Sequence, residues 1–173
     1  MKIVGVIAAK ENSNRFKNKN IYNYKGLPLF YHNVKVLTDL AIDTYVATDS
    51  EWIKSYCNDK GVKVIWRGVN INQDDQSIFE VLKYVYYRLP DFDIMVNILA
   101  NVINVQTDDI LRLLQCLNDN NLREVRSYNN GVESGCMALR KSVFNNFQIS
   151  AYCGAIINNS TEIHYEAEIT EGY

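Results

Sequence analysis

The sequence predicts an α/β domain with a mostly parallel central sheet, and three observations support that prediction. The chain begins with an apolar run, Ile3–Ala9, which is long enough for one strand buried on both faces and too short for a membrane span. After it, segments with strand patterns alternate with segments with helix patterns, as in chains that build parallel sheets. A second strongly apolar segment, Ile94–Leu99, is typical of a central strand.

The first half of the chain is predicted to fold as strands and helices in turn. Pro28 suits the first turn of a helix that runs to about Asp39, because its fixed φ angle fits a helix start. Residues 48–51 have the spacing of a capping box, which predicts a second helix that Gly61 closes. Strands are expected before and after this second helix, at residues 44–47 and 62–66.

The second half continues the alternation and then favours strands. Residues 77–89 are predicted to form a helix that Pro90 stops, and a further helix is predicted at about residues 107–117. Asp108 and Asp109 favour the start of that helix, because carboxylates stabilise the positive end of a helix dipole. Later strands, with some antiparallel pairing, are expected at residues 125–128, 135–140, 152–157 and 163–168, with turns at 129–131 and 158–160.

Length and composition restrict the class of protein. The 173 residues suit one domain, predicted to span residues 1–173, and the shares of apolar (47%) and charged (22%) residues are ordinary for a soluble globular protein. Four widely spaced cysteines favour free thiols in a reducing cytoplasm over disulfides, and two histidines leave little for a zinc site. A net charge of −2 argues against nucleic-acid binding, and no apolar run predicts a membrane span.

A basic loop follows the first strand. It carries four cations within ten residues, at Lys10, Arg15, Lys17 and Lys19, in a chain that is slightly acidic overall. In an open α/β sheet ligands bind beyond the carboxyl ends of the strands, and ammonium and guanidinium groups there suit a polyphosphate. The sequence has no GxxxxGK[ST], and no GxGxxG after the first strand, which excludes a P-loop and a dinucleotide fingerprint. From charge alone, a solvated lysine-rich loop is the alternative.

The order of residues in this loop is more specific than its charge. The motif residues are Ala9-Lys10, Ser13 and Lys19-Asn20, followed by the segments at residues 24–29 and 46–50. At this spacing the chain resembles the sugar cytidylyltransferases, above all the acylneuraminate cytidylyltransferases that make CMP-sialic acids. The resemblance is good to about residue 67 and is traceable to the end of the chain.

This resemblance implies a Rossmann-like three-layer nucleotidyltransferase fold and a reaction. In the family, the hydroxyl of a keto sugar acid of the sialic-acid or Kdo type attacks the α-phosphate of CTP, and pyrophosphate leaves. CTP and a sugar acid are therefore the expected partners, in the cytoplasm. A catalytically inactive descendant that binds a nucleotide or a partner is one alternative, and an interaction module without a nucleotide site is another.

The resemblance also assigns roles to residues. Lys10 would contact the phosphates and Lys19 would neutralise the α-phosphate, which makes these two lysines the catalytic pair. Arg67 matches an arginine that the family keeps near its nucleotide and sugar sites, with a free surface arginine as the alternative. Asp49, at a strand end, has helix capping as the alternative to a ligand contact. Nucleotide contacts are expected from Lys10, Ser13, Arg15, Lys19, Asn20 and Asn101.

Mg²⁺ is the cofactor that the resemblance implies. The family draws its metal ligands from an Asp-x-Asp near the end of the sheet, where this chain has Glu166-Ala167-Glu168. Alternate residues of a strand share a face, so Glu166 and Glu168 are expected to act together if they lie on a strand. The alternative is two exposed acids on an edge strand.

Three departures from the family pattern motivate the inactive alternative. Glu11-Asn12 stands in place of paired glycines, and residues 99–101 contain neither the glutamine nor the metal-binding aspartate found there in relatives. Residues 127–135 are also too short for the family insertion, which carries sugar contacts and exchanges between subunits. A monomer and a homodimer therefore both stay open.

Overall fold

The computed structural model describes residues 1–11, 15–68, 77–146 and 153–170. Its strands are β1 (Ile3–Ala9), β2 (Asn23–Tyr24), β3 (Leu27–Pro28), β4 (Asp43–Thr48), β5 (Lys63–Trp66), β6 (Ile94–Leu99), β7 (Val102–Ile103), β8 (Glu124–Asn129), β9 (Val132–Arg140), β10 (Gly154–Ile157) and β11 (Thr161–Glu162). Its helices are α1 (Leu29–Asp39), α2 (Glu51–Asp59), α3 (Ile78–Tyr86), α4 (Thr107–Asp119), α5 (Ser142–Asn146) and α6 (Ala167–Thr170), with a 3₁₀ turn at Lys19–Ile21. None of the described helices is long and apolar enough to cross a membrane.

The main sheet contains seven strands in the order β10-β8-β9-β6-β1-β4-β5. Strand β9 runs antiparallel to both of its neighbours, and the other pairs in this sheet are parallel. Strand β6 occupies the central position that its apolar sequence predicted. The mostly parallel sheet of the sequence prediction is therefore confirmed, as is the late antiparallel pairing.

Helices cover both faces of this sheet. On one face, apolar residues of α1, α2 and α4 pack against Ile7 and Ile98 in a large buried cluster. On the other face, α3 and α5 pack against Val4, Val6 and Met95. The side chains of β1 alternate between the two clusters because successive residues of a strand point to opposite faces. This helix–sheet–helix arrangement confirms the predicted three-layer architecture.

The largest error of the sequence prediction lies near the end of the chain. Residues 163–168 were predicted to form a strand, but the strand β11 ends at Glu162 and the helix α6 begins at Ala167. The carboxylate of Glu168 explains the difference, because its Oε2 accepts hydrogen bonds from the backbone N–H groups of His164 (2.6 Å) and Tyr165 (3.0 Å). A carboxylate that reaches back to the backbone N–H groups just before a helix favours a turn there over an extended strand.

Two helix starts also differ from the prediction. Pro28 lies at the N-cap of α1 and pairs in β3, rather than in the first helical turn. Helix α2 is capped by Ser50, whose Oγ accepts from the N–H of Ile53, and not by Thr48. The prediction that strand β10 begins at residue 152 falls outside the described residues, and the strand is described from Gly154.

The four cysteines are free thiols, as the sequence predicted. Cys57 and Cys136 are buried, and burial raises the pKa of both thiols to about 12. A thiol with so high a pKa is almost fully protonated at neutral pH, and the thiolate is the reactive form. These two residues are therefore packing residues of the core rather than nucleophiles.

Candidate active site at the carboxyl edge of the sheet

Polar side chains follow four neighbouring parallel strands at the edge where each strand ends. Lys10 follows β1, Asp49 follows β4, Arg67 follows β5, and Asn101 comes two residues after β6. Parallel strands bring their carboxyl ends to one edge, so these residues share a side of the sheet. The structure thus places the predicted site residues of distant segments along one rim.

The basic loop is tied down near both of its ends. The side-chain amide of Asn20 donates a hydrogen bond from Nδ2 to the carbonyl oxygen of Lys10 (2.8 Å). The backbone N–H of Glu11 donates to Oδ1 of Asp49 (2.9 Å), and the hydroxyl of Ser50 donates to Oε1 of Glu11 (3.4 Å). Asn20 therefore shapes the loop that holds Lys10, and Glu11 anchors the loop to the start of α2.

Lys19 lies on the far side of the loop, half-buried and close to other charges. Its ammonium donates from Nζ to the carbonyl oxygen of Ile163 (2.9 Å). Burial lowers the pKa of Lys19, the carboxylate of Glu162 partly raises it, and the nearby cations Arg15 and Lys10 lower it further. The charges of Arg15 and Lys10 therefore act on the Lys19 ammonium, and neighbouring cations favour the binding of an anion.

Asn101 is buried and uses its side chain within the protein. Its Nδ2 donates to Oε1 of Glu162 (2.9 Å) and to the carbonyl oxygen of Ile163 (2.7 Å). The backbone N–H of Ile163 donates in return to the carbonyl oxygen of Asn101 (2.8 Å). The end of the central strand is therefore joined to the segment that follows β11.

Glu162 is the site residue that the sequence analysis missed. Its Oε1 lies 3.8 Å from Nε2 of His164 and accepts the hydrogen bond from Asn101, and its charge acts on Lys19. In the sequence, Glu162 is marked only as an acid two residues before a histidine. The pairing of Glu162 with Val102 of β7 joins distant segments, so the local sequence does not predict it. Glu162 thus places a carboxylate beside the basic loop.

The predicted pair Glu166 and Glu168 is arranged differently from the prediction. The two residues do not lie on a strand, because Glu166 precedes the short helix α6 and Glu168 belongs to it. Hydrogen bonds from the backbone of Tyr165 and then of His164 lower the pKa of Glu168, so this carboxylate already serves the local turn. Within the described residues, no group of three or more His, Cys, Asp or Glu side chains could hold a metal ion.

Arg67 is buried, with 5% of its surface exposed, so the surface-arginine alternative is wrong. Its backbone N–H donates to the carbonyl oxygen of Thr48 (2.9 Å), and its Nε has no hydrogen-bond partner among the described residues. Burial lowers the pKa of Arg67, whereas the charge of Asp49 raises it. A buried guanidinium with an unused donor is costly unless a ligand satisfies it. Ser13, the remaining predicted contact, lies outside the described residues.

Comparison with known families agrees with this geometry. The sequence model of the family described as Cytidylyltransferase matches residues 4–151. The chain is 36% identical over 121 residues to a 3-deoxy-manno-octulosonate cytidylyltransferase of Bdellovibrio bacteriovorus, a match that covers 69% of this chain and 47% of that protein. It is 26% identical over 87 residues to an N-acylneuraminate cytidylyltransferase of Streptococcus agalactiae, which covers 48% of this chain and 21% of that protein. The chain thus spans about half the length of the first of these relatives and less of the second.

Solved structures share the fold at low sequence identity. A CMP:2-keto-3-deoxy-manno-octonic acid synthetase complexed with CTP superposes with a TM-score of 0.82 at 17% identity, over 99% of this chain and 96% of that one. A protein from Mycobacterium tuberculosis in complex with manganese superposes with a TM-score of 0.73 at 10% identity, over 99% of this chain and 97% of that one. These likenesses show that this chain shares its fold with both proteins.

Proposed function

The chain belongs to the cytidylyltransferase family, and on that premise we propose that it transfers CMP from CTP to a keto sugar acid and releases pyrophosphate. The observation that carries the proposal is the basic loop at the carboxyl edge of the sheet, where Asn20 and Asp49 bind its backbone and the ammonium of Lys19 is fixed at the carbonyl oxygen of Ile163. Cations at this edge suit a triphosphate, because their mutual repulsion is relieved when an anion binds.

The reaction would need positioning and charge neutralisation more than covalent help from the protein. The sugar hydroxyl would form a bond to the α-phosphorus of CTP while the bond from that phosphorus to the bridging oxygen of the leaving pyrophosphate breaks. Lys19 and Lys10 would neutralise the charge that develops on the phosphate oxygens. Asn20 and Asp49 hold the loop in place through the backbone before the substrate arrives, which lowers the cost of ordering it.

The acceptor sugar is proposed to be of the Kdo or sialic-acid type. The relatives named above act, by their names, on 3-deoxy-manno-octulosonate and on N-acylneuraminate, and both substrates are keto sugar acids that carry a carboxylate. Arg67 supports this proposal, because its buried guanidinium has an unused donor at the same edge of the sheet. A guanidinium is well matched to the planar carboxylate of such a sugar or to a phosphate.

A divalent ion, proposed to be Mg²⁺, would be shared between the nucleotide and a carboxylate of the chain. Mg²⁺ needs one or two protein carboxylates when phosphate oxygens and waters complete its shell, so a cluster of three acids is not required. Glu162 fits this role, since it lies beside Lys19 and at the end of β11, whereas Glu168 is occupied by backbone N–H groups. When bound, the ion would neutralise charge on the transferring and leaving phosphates.

Pyrophosphate release tests this proposal. The protein is incubated with Mg²⁺, with CTP or with ATP, GTP or UTP, and with Kdo or N-acetylneuraminic acid. Release with CTP and one sugar is expected, and Lys19→Ala should abolish most of it, while Lys35→Ala, on the exposed face of α1, should not. Release that Lys19→Ala leaves unchanged would contradict the site assignment.

The same experiment separates the alternative of an inactive descendant. Residues 99–101 contain neither the glutamine nor the metal-binding aspartate of the family pattern, and the amide nitrogen of Asn101 is already used within the protein. If no sugar supports release but CTP still raises the thermal unfolding midpoint, the chain binds the nucleotide without turnover. If CTP neither reacts nor stabilises the protein, the proposed function is wrong.

A further inference from the structure

The side-chain amide nitrogen of Asn101 has no donor left for a ligand. It carries two hydrogens, and these are directed to Oε1 of Glu162 and to the carbonyl oxygen of Ile163. Phosphate and ribose ring oxygens of a nucleotide are acceptors, so they need a donor that Asn101 has already committed. The sequence analysis expected a nucleotide contact from Asn101, and a contact made by this amide nitrogen would require one of two short hydrogen bonds to be broken.

The carbonyl oxygen of Ile163 links Asn101 to Lys19. It accepts from Nδ2 of Asn101 at 2.7 Å and from Nζ of Lys19 at 2.9 Å. A carbonyl oxygen has two lone pairs, and here both are directed to side chains from distant segments. The position of the Lys19 ammonium is therefore set by a group that Asn101 holds.

We infer that Asn101 is a positioning residue for Lys19. Asn101 acts on Lys19 through Glu162 and Ile163, and Asn101 does not bind the nucleotide itself. This inference rests on the proposed function for its effect on CTP. It assigns the segment after β11 a part in the site, namely to fix the ammonium that meets the triphosphate.

Asn101 is itself held rigidly enough for this role. The amide of Asn33, from α1, donates to the carbonyl oxygens of Leu99 (3.0 Å) and Val102 (2.9 Å), on either side of Asn101. The side chain of Ile163 is fully buried in a small apolar cluster under the basic loop, with Phe16, Tyr24, Leu29 and Ile103. A side chain that is hydrogen-bonded between two fixed segments can hold a third group in one position.

Charge gives Asn101 a second effect on Lys19. Glu162 already attracts the Lys19 ammonium, and the hydrogen bond from Asn101 keeps one oxygen of that carboxylate occupied. Without the amide, the Glu162 carboxylate would lose the hydrogen bond that orients it and could turn to pair with Lys19 directly. The ammonium would then be drawn away from the phosphates, since a carboxylate and a phosphate compete for the same donor.

Nucleotide titrations of four proteins test the inference: wild type, Asn101→Ala, Lys19→Ala and the double variant. By calorimetry, Asn101→Ala should weaken CTP binding about tenfold and cytidine binding less than about twofold, because cytidine has no phosphates for Lys19 to meet. In the Lys19→Ala background, Asn101→Ala should have little further effect on CTP binding. Equal losses for CTP and cytidine, or additive losses in the double variant, would overturn the inference.

Val102→Ala is the control for a merely structural effect. Val102 is fully buried and pairs with Glu162, and its side chain takes no part in the hydrogen bonds of the Asn101 amide, so its truncation loosens the same segment. It should lower the thermal midpoint as Asn101→Ala does, without the selective loss of CTP over cytidine. The same selective loss in Val102→Ala would refute the assignment to Asn101.

A readout that needs no nucleotide keeps the inference apart from the proposed function. The rate at which acetic anhydride acetylates Lys19 is followed by mass spectrometry, with Lys35 as the internal reference. Asn101→Ala should slow Lys19 several-fold relative to Lys35, because an amine turned against the Glu162 carboxylate is less accessible to the reagent than one held at the carbonyl oxygen of Ile163. An unchanged or faster rate would overturn the inference, whereas failure of the wild type to bind CTP would count against the proposed function alone.

Discussion

The backbone N–H of Glu11 donates a hydrogen bond to Oδ1 of Asp49 (2.9 Å), across 38 positions of the chain. This contact joins the basic loop after β1 to the turn between β4 and α2. The sequence left helix capping and a ligand contact open as roles for Asp49. Asp49 is not the cap of α2, because Ser50 has that role. It is a tether for the loop, and its charge also acts on Arg67.

Asp49→Ala should release this end of the basic loop. The lost hydrogen bond should cost about 1 kcal/mol in the free energy of unfolding, and CTP binding should weaken several-fold because the loop must be ordered on binding. Asp49→Asn is the matched control, since its Oδ1 still accepts from Glu11 while the charge is gone. Urea unfolding and calorimetry of both variants distinguish the tether from the charge: equal CTP affinities in the two variants would show that the hydrogen bond is not what matters.

Arg67 should show a trade between stability and binding. Its guanidinium is buried with an unsatisfied Nε, so Arg67→Met should leave the free energy of unfolding unchanged or raise it by up to about 1 kcal/mol. The same substitution should weaken binding of CTP, or of CTP with the sugar acid, by about tenfold or more. Thermal unfolding and calorimetry measure the two effects.

Arg88→Met is the control for this pair of effects. Arg88 is exposed and lies over the ring of Tyr84, whose hydroxyl donates to the carbonyl oxygen of Trp66, next to Arg67 in the chain. The substitution therefore alters the neighbourhood of Arg67 but not its guanidinium. Ligand affinity should be unchanged in this variant. If Arg67→Met loses stability and keeps its affinity for ligands, Arg67 is a packing residue rather than a binding residue.

The elements that the sequence predicted well are those that local pattern determines. The apolar run Ile94–Leu99 became the central strand because a strand with helices on both faces must be apolar throughout. The turn at Asn130-Gly131 became the β8–β9 hairpin because both residues adopt positive φ angles (50° and 81°), which asparagine and glycine tolerate. The carboxyl-edge site followed from the parallel order of the strands.

The site residues that the sequence missed depend on contacts between distant segments. Ile163, Tyr165 and Ala167 alternate with polar residues, which is a strand pattern, but Ile163 is buried and Tyr165 is 52% exposed. The roles of Glu162 and Asn101 arise from the pairing of β11 with β7, and nothing in either local sequence specifies that register. Sequence pattern could therefore find the basic loop but not the group that positions Lys19.

Glu168→Gln should remove an acid-sensitive part of the stability of the segment after β11. Backbone hydrogen bonds from Tyr165 and His164 hold the pKa of Glu168 below its usual value in the folded protein. A carboxylate with a depressed folded pKa stabilises the folded state above its unfolded pKa, and this contribution is lost as pH falls through the folded pKa. The glutamine variant still accepts hydrogen bonds but does not titrate. The wild type should therefore be more stable than Glu168→Gln at pH 7. The difference in the free energy of unfolding should be less than about 1 kcal/mol, because Glu168 lies near the surface. This difference should vanish between about pH 5 and pH 3.

Urea unfolding at pH 7, 5, 4 and 3 measures that difference, with Glu166→Gln as the control. Glu166 is exposed and contributes its backbone carbonyl, not its carboxylate, to the turn, where it accepts from the N–H of Ile169 (3.0 Å). The stability difference between the wild type and Glu166→Gln should therefore change little with pH. A stability difference between the wild type and Glu168→Gln that stays constant from pH 7 to pH 3 would mean that the carboxylate charge does not hold the turn. The segment that carries Glu162 and Ile163 would then be positioned by β7 and the apolar cluster alone.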